Sequence, residues 1–199
     1  MKTDRTKWEA RYRAGDRPHD GPPSGLLHRW LPKPDAPRRA LDVATGLGRN
    51  ALHLARAGYQ VDAVDISPTA LREAARRARR EGLRGIRWIV ADLDRWRPPR
   101  GRYDVVVNSF FLDRRLFPAL RAAVRPGGVL IFETHLATPT DDGGPPGRRR
   151  RLRPGELRRA LGDWDVLYAR DGRCRDGGRT LALGRIVVRR PLGRHRRAR

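Results

Sequence analysis

The chain has 199 residues, a length that suits one α/β domain with a real core and no second one. Hydrophobic residues make up 38% and charged residues 34%, and no stretch approaches the roughly 20 apolar residues of a membrane span. A lone cysteine, Cys174, excludes an internal disulfide and a thiolate metal cluster.

The N-terminal stretch is charged and lacks an apolar run, so no secretory leader is expected and the cytoplasm is the expected address. The net charge of +23 is almost all arginine: of 45 basic residues, only Lys2, Lys7 and Lys33 are lysine. A chain-wide bias toward Arg, Ala, Gly and Pro accounts for this; a polyanionic partner is the competing explanation. The arginine runs at 148–151 and 189–199 have little aromatic interleaving, so base stacking is not indicated. Non-specific, salt-dependent attraction to nucleic acid is expected either way.

Taken in order, residues 6–13 read as a helix with Trp8 and Tyr12 sharing or adjoining one face. The Gly/Pro-rich stretch 15–24 is a loop, and 25–31 is a short helix stopped by Pro32 and Pro34. The apolar run 40–44 suits a buried parallel strand, and the helix 49–57 after it ends at Gly58. A second strand covers 59–65. Ser67-Pro68 then supplies an N-cap and a first-turn proline for the amphipathic helix 69–80. Strands follow at 86–90 and 103–107, then a helix at 113–124, and Pro126-Gly127-Gly128 turns the chain into a fifth strand, 129–134. Residues 137–151 read as a flexible loop, 154–161 as a helix, and 164–169 with 180–188 as an antiparallel hairpin joined by the turn-rich 171–179, which holds Cys174.

This alternation predicts an α/β, Rossmann-like three-layer sandwich with a seven-stranded, mostly parallel sheet ending in an antiparallel hairpin. Residues 1–39 form an N-terminal helical extension, 40–190 the main domain and 191–199 a disordered basic tail.

Ligands of such sheets bind at the carboxyl ends of the strands. Gly46 and Gly48 stand there after the first strand, where the backbone can approach a ligand and a helix N-terminus opens. Asp65 ends the second strand, 17 residues past Gly48, where its carboxylate can take two ribose hydroxyls. Asp92, beside apolar Leu93 and Ile66, suits an adenine. Asn108 follows the fourth strand.

NAD and S-adenosylmethionine both fit this pattern, and Gly46–Ala51 formally matches the weaker dinucleotide turn. Three features favour S-adenosylmethionine. Asp42, inside the strand, can lie near an ammonium group; Asp92-Leu93 forms a purine clamp; and the sheet closes with a hairpin.

The stretches DVATGLGRN (42–50) and YQVDAVDIS (59–67) resemble the class I S-adenosylmethionine-dependent methyltransferases. The stretches WEARY (8–12), ADL (91–93), Phe111-Leu112 with Arg114 and 116–118, and PGGVLIFET (126–134) are similar to the small bacterial tellurite-resistance and thiopurine-methyltransferase branch. The resemblance implies that Gly46 and Gly48 contact the methionine part of the cofactor, with Asp42 beside it. It implies Asp65 on the ribose, Ile66, Asp92 and Leu93 around the adenine, and Asn108 toward the sulfonium and substrate. Trp8, Arg11 and Tyr12 would fold over the cofactor as a lid.

The residues 137–151 are richer in arginine than the branch leads one to expect. Methyl transfer from a sulfonium needs mainly alignment and desolvation. No dedicated base is evident, which favours a thiol, metalloid or similarly nucleophilic small-molecule acceptor. The alternatives are a nucleic-acid or protein methyltransferase using the basic surface, and a non-catalytic S-adenosylmethionine-binding module. Glu133 and His135 end a strand where either could touch substrate, and His53 reads as structural. No metal site is expected, and a monomer is expected.

Overall fold

The computed structural model describes residues 2–33, 36, 38–138, 150–176 and 178–192. The stretch 139–149, most of the predicted arginine-rich loop, and the tail 193–199 lie outside the described residues. The elements are α1 (Lys2–Arg13), α2 (Gly25–Trp30), β1 (Arg38–Val43), α3 (Arg49–Arg56), β2 (Tyr59–Asp65), α4 (Pro68–Arg80) and β3 (Ile86–Val90). After them come β4 (Tyr103–Ser109), α5 (Phe117–Ala123), β5 (Val124–His135), α6 (Glu156–Leu161), β6 (Asp165–Asp176) and β7 (Arg179–Arg189). The strands form one sheet in the order β3-β2-β1-β4-β5-β7-β6. β1 to β5 pair in parallel, while β7 runs antiparallel to both β5 and β6. The predicted fold class is the observed one.

Alternation along the strands divides the core between the two faces of the sheet. Leu41, Val43, Val106, Leu130 and Phe132 pack on one face with Leu120 of α5 and Leu157 and Leu161 of α6. Ala40, Val61, Ala63, Val105 and Ile131 pack on the other with Leu26 and Leu27 of α2 and Ala51 and Leu54 of α3. Strands buried on both faces read as near-continuous apolar runs, which is why β1, β2 and β4 were legible. α4 starts as its sequence dictates: Ser67 is the N-cap, its hydroxyl accepting from the Ala70 N–H at 3.1 Å, and Pro68 follows.

Three expectations change. Pro126-Gly127-Gly128 does not precede the fifth strand; it is an irregularity inside β5. Tyr103 pairs with Val124, and the register then jumps to Val105 with Val129. Gly127 has φ +75°, and the ladder is resumed by Gly127 N–H donating to Arg190 O at 2.9 Å and Arg190 N–H to Gly128 O at 2.8 Å. The closing hairpin is longer than expected, with Asp176 opposite Arg179, so Cys174 lies in β6 opposite Leu181 rather than in the turn. The helix 113–124 breaks into a 3-10 turn, Arg114–Leu116, and α5.

Among the described residues no helix is long and apolar enough to cross a membrane.

Candidate functional site

The turn after β1 is built from three left-handed residues, Ala44 (φ +52°), Gly46 (φ +54°) and Gly48 (φ +79°). Its two glycines do different work. A Cβ on Gly48 would meet Ala74 Cβ and Trp88 Cη2, each at 3.0 Å, so this glycine lets α4 and β3 close against the turn. A Cβ on Gly46 would lie 2.8 Å from the Tyr12 hydroxyl, so Gly46 faces α1. Only Gly46 therefore presents bare backbone toward the covering helix.

Asp65 holds the turn in place. Its Oδ2 accepts from the Gly46 N–H at 2.8 Å and its Oδ1 from the Ser67 N–H at 2.9 Å. The carboxylate keeps acceptor capacity for a further donor. Burial raises the Asp65 pKa, and the N–H groups of Ser67, Gly46 and Ile66 oppose that rise. Asp42 is 1% exposed and accepts from the Thr45 hydroxyl. Burial pushes its pKa up to about 7, against the Thr45 hydrogen bond and the charge of Arg49. A buried acid in this state favours a cationic partner, because an adjacent positive charge stabilises the carboxylate.

The other expected residues have these places. Asp92 follows β3, is half-buried, and its Oδ1 accepts from the Asp94 N–H at 2.9 Å, an Asx turn. Leu93 is buried in the core cluster and Ile66 is half-buried. Asn108, at the end of β4, donates Nδ2 to Phe111 O at 2.8 Å, while its Oδ1 is buried with no hydrogen-bond partner. Such an orphan acceptor calls for an occupant. Tyr12 is half-buried over Gly46, and burial and the Asp65 charge raise its pKa, so it is a neutral hydroxyl. Trp8 is half-buried and 6.1 Å from Tyr12, and the Arg11 guanidinium lies 4.7 Å over the Trp8 ring while its Nε pairs with Asp16 at 2.6 Å. The structure brings Asp42, Gly46, Asp65 and Tyr12 around one turn.

Sequence reasoning missed how α1 is held. Glu9 accepts from the Ser67 hydroxyl at 2.7 Å, from the Thr69 N–H at 3.3 Å and from the Thr69 hydroxyl. Burial opposes its charge, but these hydrogen bonds and Arg13 hold its pKa down at about 2. Asp20 pairs with both arms of Arg77 of α4, at 2.6 and 2.8 Å, and Arg17 pairs with Glu73. The segment before α2 is thus tied along the length of α4.

A second polar cluster sits at the ends of β4 and β5 and beside the middle of β7. Glu133 is fully buried and accepts from the Ser109 hydroxyl at 3.2 Å. Asn50 donates to the same hydroxyl at 3.2 Å and accepts from the Ser24 N–H at 2.9 Å. Two arginines, Arg49 and Arg185, flank Glu133. His19 stacks on Phe110 at 3.8 Å, with His135 5.8 Å from His19. His53 meets His28 edge-on at 4.7 Å at the outer side of α3, away from these strand ends. Among the described residues no group of three or more His, Cys, Asp or Glu is placed to hold a metal ion. A cleft of about 420 Å³ between α3 and α4 is lined by Arg49, Leu52 and Arg56 of α3, by Arg77 and Arg80 of α4, and by the segment Gly21-Pro22-Pro23.

Residues 40–128 match the methyltransferase domain family. The chain is 40% identical over 102 residues to the ribosomal protein L11 methyltransferase of Syntrophotalea carbinolica, covering 50% of this chain and 33% of that one. It is 28% identical over 156 residues to the 2-heptyl-1-hydroxyquinolin-4(1H)-one methyltransferase of Mycobacteroides abscessus, covering 69% and 66%. The chain thus spans about a third of the first relative's length. Its fold is shared with the Burkholderia thailandensis 1,6-didemethyltoxoflavin-N1-methyltransferase, solved with S-adenosylhomocysteine, at TM-score 0.69, 20% identity and 94% and 87% coverage. Residues 40–128 thus match the methyltransferase domain family, and the fold of the chain is that of the class I S-adenosylmethionine-dependent methyltransferases.

Proposed function

We propose that the chain is an S-adenosylmethionine-dependent methyltransferase acting on a small-molecule acceptor. The observation that carries this is the Asp65 clamp. One carboxylate braces both the glycine turn and the N-terminus of α4, with acceptor capacity remaining for ribose hydroxyls. The residues present fit the cofactor. Asp42 offers a buried carboxylate for an ammonium group, Gly46 an open backbone, Asp92, Leu93 and Ile66 a half-apolar slot for the adenine, and Asn108 an unpaired acceptor toward the reacting centre.

Bound S-adenosylmethionine would supply a methyl group on a sulfonium, already a strong leaving group. The protein's own contribution is alignment and exclusion of water. Tyr12, Trp8 and Arg11 on α1 cover the turn, and Glu9, Arg17 and Asp20 fasten that cover to α4. The lid is residues 1–39 and the methyltransferase domain 40–190. Within the class, the α1 sequence around Trp8 and Tyr12 supports the tellurite-resistance and thiopurine-type branch. The small-molecule reading is supported by the cover, which leaves the strand ends buried, and by the hydroxyquinolone relative. A tritiated-methyl transfer screen across thiols, metalloid oxyanions, carboxylates, protein and RNA tests it. Label on small molecules alone is the expected result; label only on RNA or protein would overturn the acceptor class.

A further inference from the structure

Arg49 and Arg185 meet one buried carboxylate from opposite sides. Arg49 Nη2 is 3.9 Å from Glu133 Oε1, and Arg185 Nε is 3.1 Å from Glu133 Oε2. The two arginine side chains are 7% and 11% exposed. Arg49 spends Nη1 on Pro22 O at 3.0 Å and on Asp176 Oδ2 at 3.1 Å. Its Nη2 and the Nη2 of Arg185 are buried without a hydrogen-bond acceptor, while Arg185 Nε faces Glu133 Oε2 as an ion pair and that oxygen accepts no hydrogen bond. Native structures rarely leave several buried donors in this state together.

The surroundings say what would satisfy them. Glu133 and Asp176 are the acids facing the two guanidinium groups. His19, His135, Cys174 and Arg179 are titratable or charged side chains nearby, and burial with the Arg49 charge lowers His19 to about 3, so it is neutral at ordinary pH. The Phe110 ring lies 5.2 Å under the Arg49 guanidinium and stacks on His19 at 3.8 Å, so an aromatic group sits beside the arginine pair. Spare guanidinium N–H groups match paired oxygens on a planar or tetrahedral anion better than any other partner.

We propose that the methyl acceptor is an anion, its carboxylate or equivalent oxyanion placed against Arg49 at the start of α3 and Arg185 in the middle of β7. This rests on the methyltransferase reading above. Arg49 and Arg185 are positioning residues for the acceptor and take no part in holding the cofactor.

The test is calorimetry on the full chain, first with S-adenosylhomocysteine and then, with and without it, with benzoate, benzamide and inorganic phosphate. Absence of heat with S-adenosylhomocysteine would sink the methyltransferase reading, and the anion titration is read separately. The expected result is benzoate or phosphate binding at least ten-fold more tightly than neutral benzamide, benzoate winning for a carboxylate acceptor and phosphate for a tetrahedral one. Arg185→Gln should abolish that preference at unchanged S-adenosylhomocysteine affinity. If Arg185→Gln does not fold, the pair Arg185→Gln with Glu133→Gln removes the opposing charge as well and should give the same loss. No preference in the wild type, which leaves the spare donors to water, or a preference that survives both variants, overturns the proposal.

Discussion

Glu9 on α1 accepts a hydrogen bond from the hydroxyl of Ser67, the residue that caps α4 two positions past Asp65. α1 and the Asp65 carboxylate are thereby joined through a single helix cap. Glu9→Ala removes three hydrogen bonds to a charged, largely buried group, and should cost about 1–3 kcal/mol and weaken S-adenosylhomocysteine binding several-fold. Thermal unfolding and calorimetry read the two effects. The pH sign follows from the depressed pKa. The Glu9 contribution is fully present above pH about 4.5 and is lost as pH falls toward about 2. The wild type should lose its advantage over Glu9→Gln across that window.

Asp42 has the opposite sign. Its pKa is raised from 3.8 to about 7 by burial, so the folded protein holds this proton more tightly than the unfolded chain. Stability is lost as pH rises from about 4 through 7, and is restored when a cation stands beside the carboxylate. Asp42→Asn should therefore raise the melting temperature of the cofactor-free protein by a few degrees at pH 8, with little change at pH 4. The same variant should weaken S-adenosylmethionine binding. Equal melting curves at pH 8 would show that Asp42 is not strained by its burial.

The two glycines of the turn should separate in their effects. Gly48→Ala combines left-handed strain with contacts at 3.0 Å to Ala74 and Trp88, and should cost about 2–4 kcal/mol. Gly46→Ala meets only the end of the Tyr12 side chain, which can move, so about 1–2 kcal/mol of backbone strain remains. Its main effect should be on cofactor affinity. Melting temperature and calorimetric affinity measured on both variants check the division. A Gly46→Ala protein that unfolds as readily as Gly48→Ala would contradict it.

The parts of the account that were legible in the sequence are local. β1, β2 and β4 are apolar runs, the glycine turn follows β1 at once, and Asp65 closes a strand beside Ser67-Pro68. The rest depends on pairs that sequence spacing does not reveal. Arg49 and Asp176 are 127 residues apart, Ser67 and Glu9 58 apart, and neither pair shows a pattern before the sheet is assembled. The extra length of the β6–β7 hairpin was hidden by its arginines, because Arg173 and Arg175 leave no apolar alternation to read. Pro126-Gly127-Gly128 looked like a turn because its composition is that of one. β5 absorbs it as an irregularity because Gly127 and Gly128 trade hydrogen bonds with Arg190.

The Asp65 clamp is tested most directly by titrating S-adenosylhomocysteine into the wild type and Asp65→Asn, with a melting curve on each. The amide keeps the shape of the side chain but halves its acceptor capacity. The wild type should bind at one site per chain and the variant at least ten-fold more weakly, with the fold retained. No binding by the wild type, or equal affinity in a folded Asp65→Asn protein, would contradict it.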